Sequence, residues 1–175
     1  MQRPRRGLFL ITQEQGAFMY PPTASVDSDM NAASKARNYF KNGGSAFLVP
    51  WFYSMVRNRG EWDYKQQGRQ YEAFGNFNYG ATGTAAGLSQ EFLLRGAGWA
   101  QRRAGTCNSA FGSWCNDAPY GDAPEDQAWI KAGIEYAKSR GYSVPDSSLA
   151  STCRRTRHMD AQHRLKARTE QGCCV

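Results

Sequence analysis

The apolar residues of this 175-residue chain recur at helical spacing in four stretches. The first stretch has an acidic start and a Gly-Gly stop, as is typical of helix ends. The last has the sharpest boundaries, because Asp122 and Glu125 form a capping-box pattern, Pro124 stands in the first turn and Gly141 suits a C-cap. The spacing therefore predicts helices over residues 27–42, 50–58, 89–103 and 122–141, with Pro50 in the first turn of the second.

Between residues 59 and 87 the pattern changes to aromatic, Gly, Asn and Gln residues without a sustained period, which indicates a loop or short strand that turns into helix. The predicted fold class is mainly α, and the predicted architecture is a single compact domain. Its long central loop segment is rich in Gly, Asn and aromatic residues, and a short hairpin within it is an open alternative. We divide the chain into an N-terminal arm (1–23), a catalytic domain (24–145) and a basic tail (146–175) expected to be disordered.

The net charge of +7 would favour a nucleic-acid partner if it were spread over the domain. It is instead concentrated at the ends, since the first six residues contribute +3 and residues 151–175 contribute +4. Residues 7–150 contain 13 basic and 13 acidic side chains. The overall charge therefore argues only weakly for a polyanionic substrate, and a local basic groove remains open.

Two further patterns bear on the compartment in which the protein acts. The longest apolar stretch, residues 46–56, is far shorter than the ~20 residues that a membrane span needs. The apolar run near the N-terminus is shorter than the ~7–15 residues of a secretory signal, so we expect no signal peptide and no membrane span. Cys107 and Cys115 could close a small disulfide in an oxidising compartment or remain thiols in a reducing one.

The densest group of reactive side chains lies between residues 62 and 80, where carboxylates, a lysine and carboxamides stand among aromatic rings. Such groups are costly to bury unless each finds a partner, which favours a functional site over a structural Gly/Asn turn. His158 and His163, both in the tail, are the only histidines, and no metal-binding motif appears, so we expect no metal or cofactor. The predicted catalytic residues are Asp63, Lys65, Glu72 and Tyr79, and the predicted substrate-binding residues are Trp62, Tyr64, Arg69, Asn76, Asn78 and Asp126.

Residues 24–142 resemble the type 44 domain of bacterial polymorphic toxins. The resemblance is carried by WFYSMVRNRGEWDYK at 51–65, YEAFGNFNYGATG at 71–83, LLRGAGWAQ at 93–101 and PYGDAPEDQ at 119–127. It implies a toxin module that is paired with a cognate immunity protein. As part of a larger exported protein, this module would be secreted or delivered into the cytoplasm or periplasm of a target bacterium. We expect the domain to be a monomer. Similar sequences often have His where this chain has Asn78.

Three functions fit these residues. A metal-independent RNase would use Glu72 or Asp63 as base, Lys65 and Arg69 to stabilise the phosphorane charge, and Tyr79 or Asn76 to position the phosphate. A peptidoglycan glycan hydrolase would use two carboxylates, with the aromatic rings stacked on sugars. A non-catalytic interaction domain would use the Gly/Asn segment as a recognition loop. The resemblance slightly favours the RNase, since the toxins of such systems are commonly predicted to be nucleases.

Overall fold

The computed structural model describes residues 18–41 and 45–142, and helices account for most of them. These residues contain no strand, so the predicted mainly α class is confirmed, as is the single compact domain. Short 3₁₀ helices lie at Tyr64–Gln67, Arg69–Tyr71 and Ser109–Phe111. The α-helices are α1 (Val26–Phe40), α2 (Ser45–Val56), α3 (Glu72–Ala85), α4 (Gln90–Ala104) and α5 (Pro124–Ser139).

The four predicted helices correspond to α1, α2, α4 and α5. The N-terminal ends of α2 and α5 differ from the prediction. Helix α2 begins at Ser45, so Pro50 lies inside it and the predicted first-turn position of Pro50 is wrong. The predicted capping box of α5 is also wrong, because the N-cap residue is Ala123 and makes no side-chain cap. Asp122 is instead buried, where it accepts hydrogen bonds from the amides of Gln127 at 2.7 Å and Gln101 at 3.2 Å.

The central segment is only partly a loop. Residues 57–71 form turns and two 3₁₀ helices, whereas residues 72–85 form helix α3. The sequence showed no helical period here because α3 lies at the centre of the domain, and nearly all its residues from Phe74 onward are buried. A helix that is covered on every side does not alternate between an apolar and a polar face, so the signal used to recognise helices is absent.

Helix α3 packs closely against α5 through glycine. A Cβ atom on Gly80 would lie 2.1 Å from the carbonyl oxygen of Ile130, and one on Gly133 would lie 1.9 Å from that of Phe77. Only glycine fits where two backbones come this close. Nearer the helix beginnings, Asn76 contacts Asp126. The two glycine contacts lie near the middle of both helices, whereas the Asn76–Asp126 contact lies in the first turns of both. The helices α3 and α5 therefore run in the same direction, and their N-terminal turns lie close together.

Residues 18–20 also contribute to the core, although the sequence pattern assigned them to the N-terminal arm. The ring of Phe18 lies 5.1 Å from that of Phe77 and 5.4 Å from that of Trp129, between centroids. Tyr20 contacts Phe74 with its ring centroid at 6.0 Å. The end of the arm therefore covers α3 and the first half of α5.

The remaining predictions on chain organisation concern the two cysteines, a membrane span and the two ends of the chain. Cys107 and Cys115 are both half-buried in the loop between α4 and α5. None of the helices within residues 18–41 and 45–142 is long and apolar enough to cross a lipid bilayer. The basic head, His158, His163 and the tail lie outside the described residues.

Candidate functional site

Four of the predicted site residues meet where α3 and α5 begin; we call Lys65, Glu72, Asn76 and Asp126 the carboxylate site. The amide of Asn76 donates a hydrogen bond to the Asp126 carboxyl at 2.6 Å, and Asn76 itself is buried. The aliphatic part of Lys65 lies across α3 at Gly75, where a Cβ atom would be 2.8 Å from the lysine Cγ. Glycine at position 75 thus leaves the space through which Lys65 reaches the site.

The two carboxyl groups of this site differ in their exposure to solvent. Burial raises the pKa of Asp126 above its ordinary value, while the charge of Lys65 acts in the opposite direction. The nearby charges of Asp122 and Glu72 raise the pKa further, and the Asn76 hydrogen bond lowers it. Glu72 is exposed to solvent. The site therefore combines a half-buried carboxyl that holds its proton more strongly than usual with an exposed carboxylate and a lysine.

The two helix ends at the carboxylate site lack the side-chain caps that other helices have. Ser25 caps α1 by accepting from the amide of Ser28, and Ser89 caps α4 by accepting from the amide of Phe92. Neither α3 nor α5 begins with such a hydrogen bond. A helix N-terminus carries a partial positive charge that favours anions. Two such ends side by side add to the charge of Lys65.

A second polar cluster lies between α1 and α3, formed by Asp29, Tyr64 and Asn78; we call it the Asp29 cluster. The Tyr64 hydroxyl donates to the Asp29 carboxyl at 2.7 Å. Asn78 is 1% exposed, and its amide has no hydrogen-bond partner of ordinary geometry among the described residues. It nevertheless lies close enough to Asp29 to lower the pKa of that carboxyl, although burial, the larger effect, raises it.

Asp29 is the residue that the sequence pattern did not single out as part of a site. An acidic side chain in the first turn of a helix is explained by the helix dipole alone, so Asp29 gave no further signal. Its partner Tyr64 is 35 positions away along the chain. Only the folded structure brings the two together.

We expect Asp29→Asn to raise the melting temperature at pH 7 relative to the unchanged protein, and not at pH 3. The folded pKa of Asp29 lies above its unfolded value, so its contribution to stability is complete below the unfolded pKa and is lost as pH rises through the folded pKa. Thermal unfolding followed by circular dichroism at both pH values measures this, with Asp117→Asn in the exposed loop as control. A lower melting temperature at pH 7 would mean that the bond from Tyr64 to the charged carboxylate outweighs the burial.

The other predicted site residues make contacts of a structural kind. The Asp63 carboxyl accepts from the backbone amide of Arg59 at 2.6 Å and closes the turn before the first 3₁₀ helix. The hydroxyl of Tyr79 donates to the carbonyl of Leu93 at 3.0 Å, and burial raises its pKa. Trp62 is buried against the edge of Trp51, with ring centroids 5.7 Å apart. Arg69 is exposed.

Within the described part of the chain, no three or more His, Cys, Asp or Glu side chains are grouped so that they could hold a metal ion. The chemistry that the carboxylate site itself can supply is proton transfer by carboxyl groups and charge stabilisation by Lys65 and the helix ends.

The described residues form a small all-helical domain. Residues 64–139 match the model of the family described as bacterial toxin 44, which supports the resemblance that the sequence motifs indicate. The matched segment includes α3, α4, α5 and the whole carboxylate site, whereas Asp29 lies outside it. No curated protein and no solved structure matches the chain. The match to a toxin family suggests an immunity partner and is consistent with delivery into target cells.

Proposed function

We propose that this domain is a degradative toxin that cleaves RNA with the side chains of the carboxylate site. The observation that carries the proposal is the pairing of a half-buried carboxyl of raised pKa, Asp126, with the exposed carboxylate of Glu72 beside Lys65. A carboxyl group that keeps its proton to higher pH is suited to act as a general acid, and an exposed carboxylate beside it is suited to act as the general base.

In this reaction Glu72 takes the proton from a ribose 2′-hydroxyl, and the 2′-oxygen attacks the adjacent phosphorus. The bond from phosphorus to the 5′-oxygen breaks, and Asp126 gives its proton to that oxygen. The products are a 2′,3′-cyclic phosphate and a 5′-hydroxyl. Lys65 and the N-termini of α3 and α5 stabilise the negative charge that develops on the phosphate oxygens. The hydrogen bond from Asn76 holds Asp126 in place.

Glycan hydrolysis is the second candidate, and one observation favours it. Around Asp126 two carboxylates raise its pKa and only one cation lowers it, so the site is acidic. A neutral sugar polymer avoids the repulsion that a phosphate would meet, and glycan hydrolases also use a carboxylic acid of raised pKa. We place RNA first because the paired helix ends and Lys65 provide positive charge for a phosphodiester, which a neutral glycan does not need.

Expression of the chain in bacteria separates the two candidates. One form stays in the cytoplasm and the other is exported to the periplasm by an added signal; growth and the integrity of total RNA are measured for both. We expect growth arrest and RNA fragments with cyclic phosphate ends from the cytoplasmic form only. A Lys131→Gln variant, changed on the exposed surface of α5, should remain as toxic as the unchanged chain.

Other results would contradict the proposal. Lysis caused by the periplasmic form alone would assign the domain to the cell wall. Absence of toxicity from both forms, with folded protein present, would indicate a non-catalytic domain.

A further inference from the structure

The charges of the domain are divided between two regions, although the body as a whole is nearly neutral. Residues 30–60 contain five basic side chains and no acidic one. The other described residues carry eight basic and eleven acidic side chains. The basic region covers most of α1, all of α2 and the turn after α2. It is separate in sequence from the carboxylate site.

Helix α2 within this region has an unusual composition for its position. It contains no charged residue, and a helix that is apolar on all sides is normally buried. Phe47 and Tyr53 of α2 are nevertheless 62% and 40% exposed, and Tyr39 near the end of α1 is 81% exposed. Exposed apolar surface of this kind marks interaction sites. We call these three rings and the neighbouring Lys35, Lys41 and Arg57 the basic aromatic face.

Two of the exposed rings have a basic residue four positions away along the chain. Lys35 precedes Tyr39 by four positions, and Arg57 follows Tyr53 by four. Residues at this spacing lie one helical turn apart on the same face of a helix. On α4 the guanidinium of Arg103 lies over the ring of Trp99, 5.7 Å from its centroid.

The exposed rings contact aromatic rings of neighbouring helices in two separate places. Phe40 connects Tyr39 to Phe47, with ring centroids at 5.1 Å and 6.5 Å. Tyr53 contacts Trp99 edge-on at 5.8 Å. Ring contacts therefore join α1 to α2 at Phe47 and α2 to α4 at Tyr53, and the exposed cations Lys35, Lys41 and Arg57 lie on or directly after α1 and α2.

We propose that the basic aromatic face binds single-stranded RNA, with bases stacked on the exposed rings and phosphates paired with the lysines and arginines. Surfaces that bind single strands without sequence preference combine these two elements. A second copy of this chain is disfavoured, because two faces of the same charge would repel each other. A purely apolar partner would offer no negative charge to pair with the lysines and arginines of the face. The inference rests on RNA being the substrate of the carboxylate site.

The test measures binding apart from cleavage, using a fluorescent 2′-O-methyl oligonucleotide, which has no free 2′-hydroxyl to react. Fluorescence anisotropy of the full chain gives its Kd at several salt concentrations. Tyr39→Ala should raise the Kd about five-fold or more, since stacking of one base on an aromatic ring contributes at least this much. Because Tyr39 is largely exposed, this variant is expected to fold, and circular dichroism checks it.

Charge neutralisation gives a matched comparison. Lys35→Gln with Lys41→Gln should weaken binding and reduce the slope of log affinity against log salt by about 1.4, because each phosphate contact on a single strand contributes about 0.7. Lys131→Gln with Lys138→Gln removes the same charge from exposed positions on α5 and should leave the slope unchanged. The basic head and tail are present in every variant, so they do not affect the comparison.

The outcomes distinguish this inference from the proposed function. Equal loss in both double variants, or no loss in either, overturns the assignment of the face. So does binding to an acidic protein or to anionic phosphatidylserine vesicles without binding to the oligonucleotide. If the chain cleaves no RNA but the Tyr39 and lysine variants bind the oligonucleotide more weakly, the assignment of the face is supported and the proposed RNase activity is wrong. If the chain cleaves RNA but these variants bind as well as the unchanged chain, only the assignment of the face is wrong.

Discussion

Glu72→Gln is expected to lower the rate of RNA cleavage by about 10²–10⁴-fold, the usual contribution of a general base, and to abolish growth arrest by the cytoplasmic form. The amide keeps the size of the side chain and cannot accept the proton of the 2′-hydroxyl. Glu72 is exposed at the first position of α3, so the change should leave the fold intact. Cleavage of a labelled RNA by the purified variant measures the rate, and the melting temperature confirms folding.

Asp126→Asn is the companion variant, and pH separates its role from that of Glu72. The pKa of Asp126 is raised, chiefly by burial, so the carboxyl stays protonated to higher pH than an ordinary aspartate. Cleavage should therefore fall as pH rises through the Asp126 pKa, and the residual activity of Asp126→Asn should lack this alkaline limb. Glu125→Gln, an exposed change in the same first turn of α5, is the control and should cleave at the original rate. An unchanged alkaline limb in Asp126→Asn would remove Asp126 from the role of acid.

The second large effect concerns stability. Gly133→Ala should lower the free energy of unfolding by about 1–3 kcal/mol or more, the usual cost of overpacking a core. The added methyl group would lie 1.9 Å from the carbonyl oxygen of Phe77 and 2.9 Å from the amide nitrogen of Ala81. Both atoms belong to the backbone of α3, which cannot move aside as a flexible side chain can. Urea unfolding followed by circular dichroism measures the loss.

Lys131→Ala is the matched control for Gly133→Ala. It replaces one good helix former by another at an exposed position of the same helix, so the midpoint of urea unfolding should hardly change. If Gly133→Ala is as stable as the control, the close contact of α3 with α5 is not a feature of the folded protein. The carboxylate site would then lose its geometric basis, because that contact sets the two helix beginnings side by side.

The carboxylate site was predictable as a set of residues but not as an arrangement. Reactive side chains that are dense among aromatic residues indicated Lys65, Glu72 and Asn76, and Asp126 was among the predicted substrate-binding residues. The hydrogen bond between Asn76 and Asp126 joins residues 50 positions apart. No local pattern indicates such a pair or the burial that raises the Asp126 pKa.

Features that depend on residues close together along the chain could be predicted before the fold was known. Apolar spacing located α1, α4 and α5, and motifs along the chain indicated the toxin family. The tertiary structure alone decided that Glu72–Ala85 is a helix, that Asp122 is buried among glutamine amides and that Asp29 meets Tyr64. The reason is physical: a helix enclosed on all sides shows no polar face, and a buried polar group takes its partner from whichever distant segment packs against it.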